Sequence, residues 1–162
     1  MLTAAVKELD RSTLEDIYQG KNTGPETSGI LKIINLAGSQ LRKSFRQVPE
    51  NEKDVQNVFE VLLIGAGIRY ERETVSVTYS SKTYYPDFTV GMLDLAIEMK
   101  FCGNTAKEKT LIAEINDDIL AYKSKFGNLL FVIYDKGFVR DVDAFCGNFE
   151  EQEGVMVRVV KE

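Results

Sequence analysis

The sequence contains no histidine. That absence excludes serine–histidine and cysteine–histidine hydrolases, histidine-ligated zinc sites and histidine–metal finger nucleases, all of which need an imidazole. Catalysis here has to run on carboxylates, lysine, tyrosine or the few hydroxyls. Acids without histidine favour a hard, oxygen-loving ion such as Mg2+ or Mn2+. Cysteine is scarce as well. Cys102 and Cys146 have no zinc-like spacing, so a reduced, cytoplasmic protein is expected. No run approaches the ~18–20 apolar residues of a membrane span. Met1 to Asp10 lacks the charged-then-apolar pattern of a signal peptide, and no membrane partner is expected. Positive charge is not in excess either. Lys and Arg number 20 against 25 Asp and Glu, a net charge of −5. This weighs against a strong non-specific nucleic-acid binder unless a local basic surface, an oligomer or a bound metal offsets it.

What is present suits one soluble domain. The chain has 162 residues, 44% hydrophobic and 28% charged, enough for a real core. Leu2 to Gln19 reads as helical, either as one helix or, with Ser12 and Glu15 as a capping box, as two short ones. Gly20 to Ser28 reads as a loop. A helix from Ile30 to Arg46 follows, with Ile30, Ile33, Ile34, Ala37 and Leu41 at helical spacing. It ends in a basic turn that contains Arg42, Lys43 and Arg46. Two readings fit those cations: complements to a helix C-terminus, or phosphate contacts. After Pro49, Asn51 caps a third helix with Asp54 at the capping-box position, and Gly65 and Gly67 end it.

Strands are expected over Arg72–Tyr79, Tyr84–Val90 and Leu93–Phe101, with a turn at Ser80–Lys82. A helix then runs from Lys109 to Lys125. Asn128–Tyr134 is an unbroken apolar run typical of a buried central strand. A short helix over Asp141–Phe149 and an edge strand over Gly154–Lys161 close the chain. That order predicts an α/β fold, a mixed sheet with helices on its faces. Residues 1–48 form a helical extension too small for its own core, which packs on the body at 49–162 or on a second copy.

The polar residues of the strand pair Tyr84–Phe101 stand out. Side chains two apart on a strand share a face, so Glu98 and Lys100 project together. A turn at Gly91–Met92 puts Val90 opposite Leu93 and Asp87 opposite Ala96, so Asp87 joins that face. The diagonal from Asp87 to Glu98 is then about 7–8 Å between backbones, a gap that a divalent metal fits. Phe88, Val90, Leu95 and Ile97 point the other way, into a core. Polar groups on such a hairpin are costly unless they serve something. Paired carboxylates hold an ion that activates water and stabilises charge on a scissile phosphate. Lys100, beside two acids, stays protonated and serves as a charge stabiliser rather than a base.

With these residues the sequence resembles the PD-(D/E)XK nuclease superfamily, the restriction-endonuclease-like fold. Pro86-Asp87 stands for its PD and Glu98-Met99-Lys100 for its (D/E)XK. The resemblance spans about Asn51 to Asp143. It is strongest to a compact restriction and defence-associated branch, through Asp54-Val55-Gln56, Asp87-Phe88, Glu98-Met99-Lys100, Asp118-Ile119-Leu120-Ala121-Tyr122 and Tyr134-Asp135. It implies a Mg2+- or Mn2+-dependent DNA endonuclease with Asp87 and Glu98 as metal ligands. It also implies a helix acid, for which Asp54 and Glu52 compete. DNA is the implied partner, and cutting both strands implies a homodimer, in a restriction or phage-defence setting or a larger assembly. The alternatives are a catalytically silent partner or regulatory subunit of the same fold, and a branched-DNA resolvase. Glu114, Asp118 and Tyr122 recur at i, i+4 and i+8 and share a helix face, either solvated or lining the cleft. Lys123 and Lys125 are weak candidates for an added basic group. Tyr79, Tyr84 and Tyr85 suit core or cross-strand packing better than base stacking.

Overall fold

A computed structural model describes residues 24–162. The helical reading of residues 2–19 lies outside the described residues. Helix α1 spans Pro25–Leu36. It begins earlier than expected, because Gly24 and Pro25 open the helix instead of belonging to a loop. Proline lacks only an N–H that is orphaned in the first turn anyway, and its fixed φ suits that position. The helix continues through a wider turn at Ala37–Leu41 and a tight turn at Arg42–Ser44. Its stripe Ile30, Ile33, Ile34, Ala37 and Leu41 is buried. Gly38 lies against the Arg158 guanidinium where a Cβ would collide, which permits close approach to the last strand.

Helix α2 spans Glu52–Gly65, with the Asn51 side chain accepting from the Asp54 N–H as its cap. Then come β1 (Glu71–Arg72), β2 (Val77–Tyr79), β3 (Lys82–Tyr84), β4 (Phe88–Val90) and β5 (Leu95–Cys102). Helix α3 is Lys107–Tyr122, β6 Asn128–Asp135, α4 Val142–Glu150 and β7 Val155–Lys161. The five-stranded sheet runs β1-β4-β5-β6-β7. Its first two pairings are antiparallel and its last two parallel. The mixed sheet flanked by helices is the expected restriction-endonuclease-like architecture, with β7 at an edge.

Two expected strands are each cut in two. Arg72–Tyr79 breaks after Arg72, where Glu73 takes a left-handed φ of 54°. Tyr84–Val90 breaks at Tyr85–Asp87, around a proline that has no N–H for a ladder. The pieces between, β2 and β3, form a separate hairpin turning at Ser80–Ser81. That hairpin lies on α3: Lys82 and the Tyr84 hydroxyl both reach Asp117. The sheet divides two apolar cores. One joins α1 and α2 to Phe88, Val90, Leu95, Ile97 and Met99. The other joins α3, α4 and the hairpin to Ala96, Leu129, Phe131 and Ile133. Residues 25–44 therefore share a core with the body. Among the described residues, no helix is long and apolar enough to cross a membrane.

Candidate active site

The link between β4 and β5 is longer than the expected two-residue turn. Gly91–Leu93 make a 3-10 turn, and Asp94 takes a left-handed φ of 49°. Asp94 then accepts from the Gly127 N–H, which ties the link to the start of β6. Val90 consequently pairs with Leu95 and Phe88 with Ile97. The register differs from the expected one by two residues. An even shift keeps every side chain on its face, but it brings Asp87 level with Glu98 instead of Ala96. The two acids are therefore direct neighbours, not diagonal ones. The Asp87 N–H donates to Glu98 Oε2 (3.3 Å), and the Met99 N–H donates to Asp87 Oδ2 (2.7 Å).

Asp87, Glu98, Lys100 and Asp118 are all at most 9% exposed. Lys100 Nζ lies 3.8 Å from Glu98 Oε1 and 2.8 Å from Asp118 Oδ2. The shorter contact is a charge pair whose geometry falls outside that of a directed hydrogen bond. Burial, reinforced by the Glu52 charge, pushes Asp87 up to about 7 against the opposing pull of the Met99 N–H and Lys100. Burial and the charge of Asp87 hold Glu98 well above the usual carboxylate range. Burial draws Lys100 down, but Glu98 and Asp118 more than reverse it, so the ammonium is held charged.

Glu52 and Asp54, two residues apart at the start of α2, go different ways. The Asp54 carboxylate accepts from the Glu50 N–H (2.9 Å) and is occupied at the helix terminus. Glu52 is raised by burial and feels the charges of Lys100, Glu114, Lys107 and Asp118. It also lines an open groove with Phe101, Asn104 and Lys107. Glu52 thus feels the charges of Lys100 and Asp118, while Asp54 is engaged at the helix terminus. Arg42, Lys43 and Arg46 are exposed on the connection between α1 and α2, and Arg46 lines a groove with Phe45 and Asp54.

The α3 face turns inward. A solvated face fits Glu114, which pairs with Lys107 at 2.8 Å, but fails for Asp118 and Tyr122. Asp118 holds Lys100, and the Tyr122 hydroxyl donates to Glu98 Oε2 at 2.9 Å. The i, i+4 spacing carried that signal. Its direction depended on how α3 sits on β5, which spacing does not encode. Lys123 and Lys125 bond to backbone carbonyls of Glu153 and Ser76. Tyr84 is buried against Tyr122, as a packing role requires, while Tyr79 and Tyr85 are exposed.

Among the described residues, no three acids, cysteines or histidines already converge as a metal cage. The donor chemistry nonetheless fits a hard divalent cation. Burial raises both adjacent carboxylates above their ordinary range, a shift that a cation beside them would oppose. Each has one oxygen, Asp87 Oδ1 and Glu98 Oε1, without a hydrogen bond among the described residues. A site of two carboxylates completed by waters is usual for Mg2+.

The family model of the DpnII-MboI restriction endonucleases matches residues 36–161. Comparison with curated proteins and with solved structures finds no significant match. The matched stretch contains every residue of the constellation and bears out the resemblance to restriction-endonuclease-like nucleases.

Proposed function

The chain belongs to the DpnII-MboI restriction endonuclease family, and from that premise we propose a Mg2+- or Mn2+-dependent DNA endonuclease acting in restriction and phage defence. The observation that carries this is the buried pair Asp87, just before β4, and Glu98 on β5, each with one oxygen that accepts no hydrogen bond among the described residues. Asp87 Oδ1 and Glu98 Oε1 are the atoms that would hold the ion. When bound, such an ion lowers the pKa of a coordinated water and offsets charge on the scissile phosphate.

The remaining steps belong to the chain. Lys100, held charged by Glu98 and Asp118, stabilises the charge that builds on the phosphate. It does not serve as a base. Glu52 supplies the helix acid at the mouth of the site. Arg42, Lys43 and Arg46 are candidate phosphate contacts for a chain whose net charge is −5. Cutting both strands requires two such centres, so the working form is a homodimer.

Calorimetric titration with Mn2+ tests the reading. Wild type should bind the ion and Glu98→Ala should not. In parallel, plasmid, branched and single-stranded DNA are incubated with Mg2+, Mn2+ or EDTA. Ion-dependent cutting is expected, and a preference for branched DNA would mark a resolvase. Neither binding nor cutting would favour a catalytically silent partner of the same fold.

A further inference from the structure

Glu98 Oε2 accepts two hydrogen bonds, from the Tyr122 hydroxyl at 2.9 Å and from the Asp87 N–H at 3.3 Å. Oε1 accepts none among the described residues and lies 3.8 Å from Lys100 Nζ. The phenol that makes this distinction is itself fixed. Tyr122 is 2% exposed, and its ring stands edge-on to Tyr84 at 6.1 Å and 80°. Only the Tyr84 ring takes part, because its hydroxyl bonds to Asp117 at 3.1 Å instead. A glutamate has two rotatable bonds between Cβ and its carboxyl carbon. Without the phenol only the longer Asp87 N–H contact would single out Oε2. A donor rigidly mounted on a neighbouring helix limits that rotation.

We propose that Tyr122 is a positioning residue for the nuclease centre, orienting Glu98 so that Oε1 alone faces the divalent cation. The inference deepens the proposed function and rests on it. Tyr122 touches neither substrate nor ion. It acts by fixing the ligand that does, in the way that partners behind metal ligands set their orientation.

The test is Mn2+ titration of the full chain by calorimetry, with thermal melting in EDTA alongside. The proteins are wild type, Tyr122→Phe and Tyr84→Phe. Tyr122→Phe keeps the ring and its packing and deletes only the donor. Its Mn2+ affinity should fall roughly 10–100-fold while its EDTA melting temperature stays with that of Tyr84→Phe. Tyr84→Phe deletes a hydroxyl that serves Asp117 and should bind Mn2+ as wild type does. Unchanged Mn2+ affinity in Tyr122→Phe overturns the inference and leaves the nuclease function standing. Equal loss in Tyr84→Phe overturns it too, since the effect would then be one of packing. Absence of Mn2+ binding by wild type removes the proposed function itself, and the inference with it.

Discussion

Asp135 on β6 and Glu98 on β5 are both buried acids on neighbouring strands of one sheet, yet their surroundings differ sharply. Asp135 is fully buried and accepts hydrogen bonds from the backbone N–H groups of Gly137, Phe138 and Val139. The Lys161 ammonium lies 3.0 Å away. Both of its oxygens are used, and it organises the turn that leaves β6. Glu98 sits beside a second acid, shares Lys100 with Asp118, and has one oxygen that accepts no hydrogen bond among the described residues. A satisfied buried acid is a structural fastener. A buried pair of acids with raised pKa values is the usual mark of a functional-site candidate.

The largest effect that separates the two should come from Glu98→Gln. Cleavage should fall by at least about 10²–10³-fold, while the metal-free protein at pH 8 should be no less stable, since a buried ionisable group is replaced by a neutral amide of the same shape. A marked loss of melting temperature in EDTA would make Glu98 a fastener like Asp135. Asp135→Ala should do the reverse. It strands the backbone donors of Gly137 to Val139 and destabilises by about 2–4 kcal/mol, measured by urea unfolding. Cleavage by the folded fraction should be retained.

A smaller effect is the pH dependence of the metal-free protein. Asp87 lies near 7 when folded and near about 3.9 when unfolded. The folded state binds more protons between those values. Stability is therefore greatest below the lower value and falls as pH rises through the upper one. Glu98, Glu52 and Asp118 shift the same way, and Lys100 titrates above the window. Melting in EDTA should occur at higher temperature at pH 5 than at pH 8, and Asp87→Asn should flatten the difference. A melting temperature that rises with pH would contradict the account. The smallest effect is expected at Asp54→Ala: about 1 kcal/mol from a weakened helix terminus, without the loss of cleavage that Glu52→Gln should bring. Lost cleavage in Asp54→Ala alone would return the helix-acid role to Asp54.

Much of this was legible in the sequence because it depends on local rules. The alternation of Glu98 and Lys100 against Ile97 and Met99 set the faces of β5. Asn51 marked the start of α2, and the Asn128–Tyr134 run marked the buried strand. Other features depended on geometry between elements. The four-residue link at Gly91–Asp94 looked like a two-residue turn because its reversal needs a left-handed Asp94, braced by Gly127 far along the chain. That shift of register turned a diagonal pair of acids into a direct one. The inward direction of Asp118 and Tyr122 likewise followed from the docking of α3. The preference for Glu52 over Asp54 in the proposed site rests on a contact that spacing does not show, the Glu50 N–H engaging Asp54.

The most direct measurement is cleavage of supercoiled plasmid in Mg2+ by wild type, Asp87→Ala and Lys100→Ala, each checked for folding by circular dichroism. The account predicts cutting by wild type that stops in EDTA, and none by either folded variant. Undiminished cutting by both variants would contradict it.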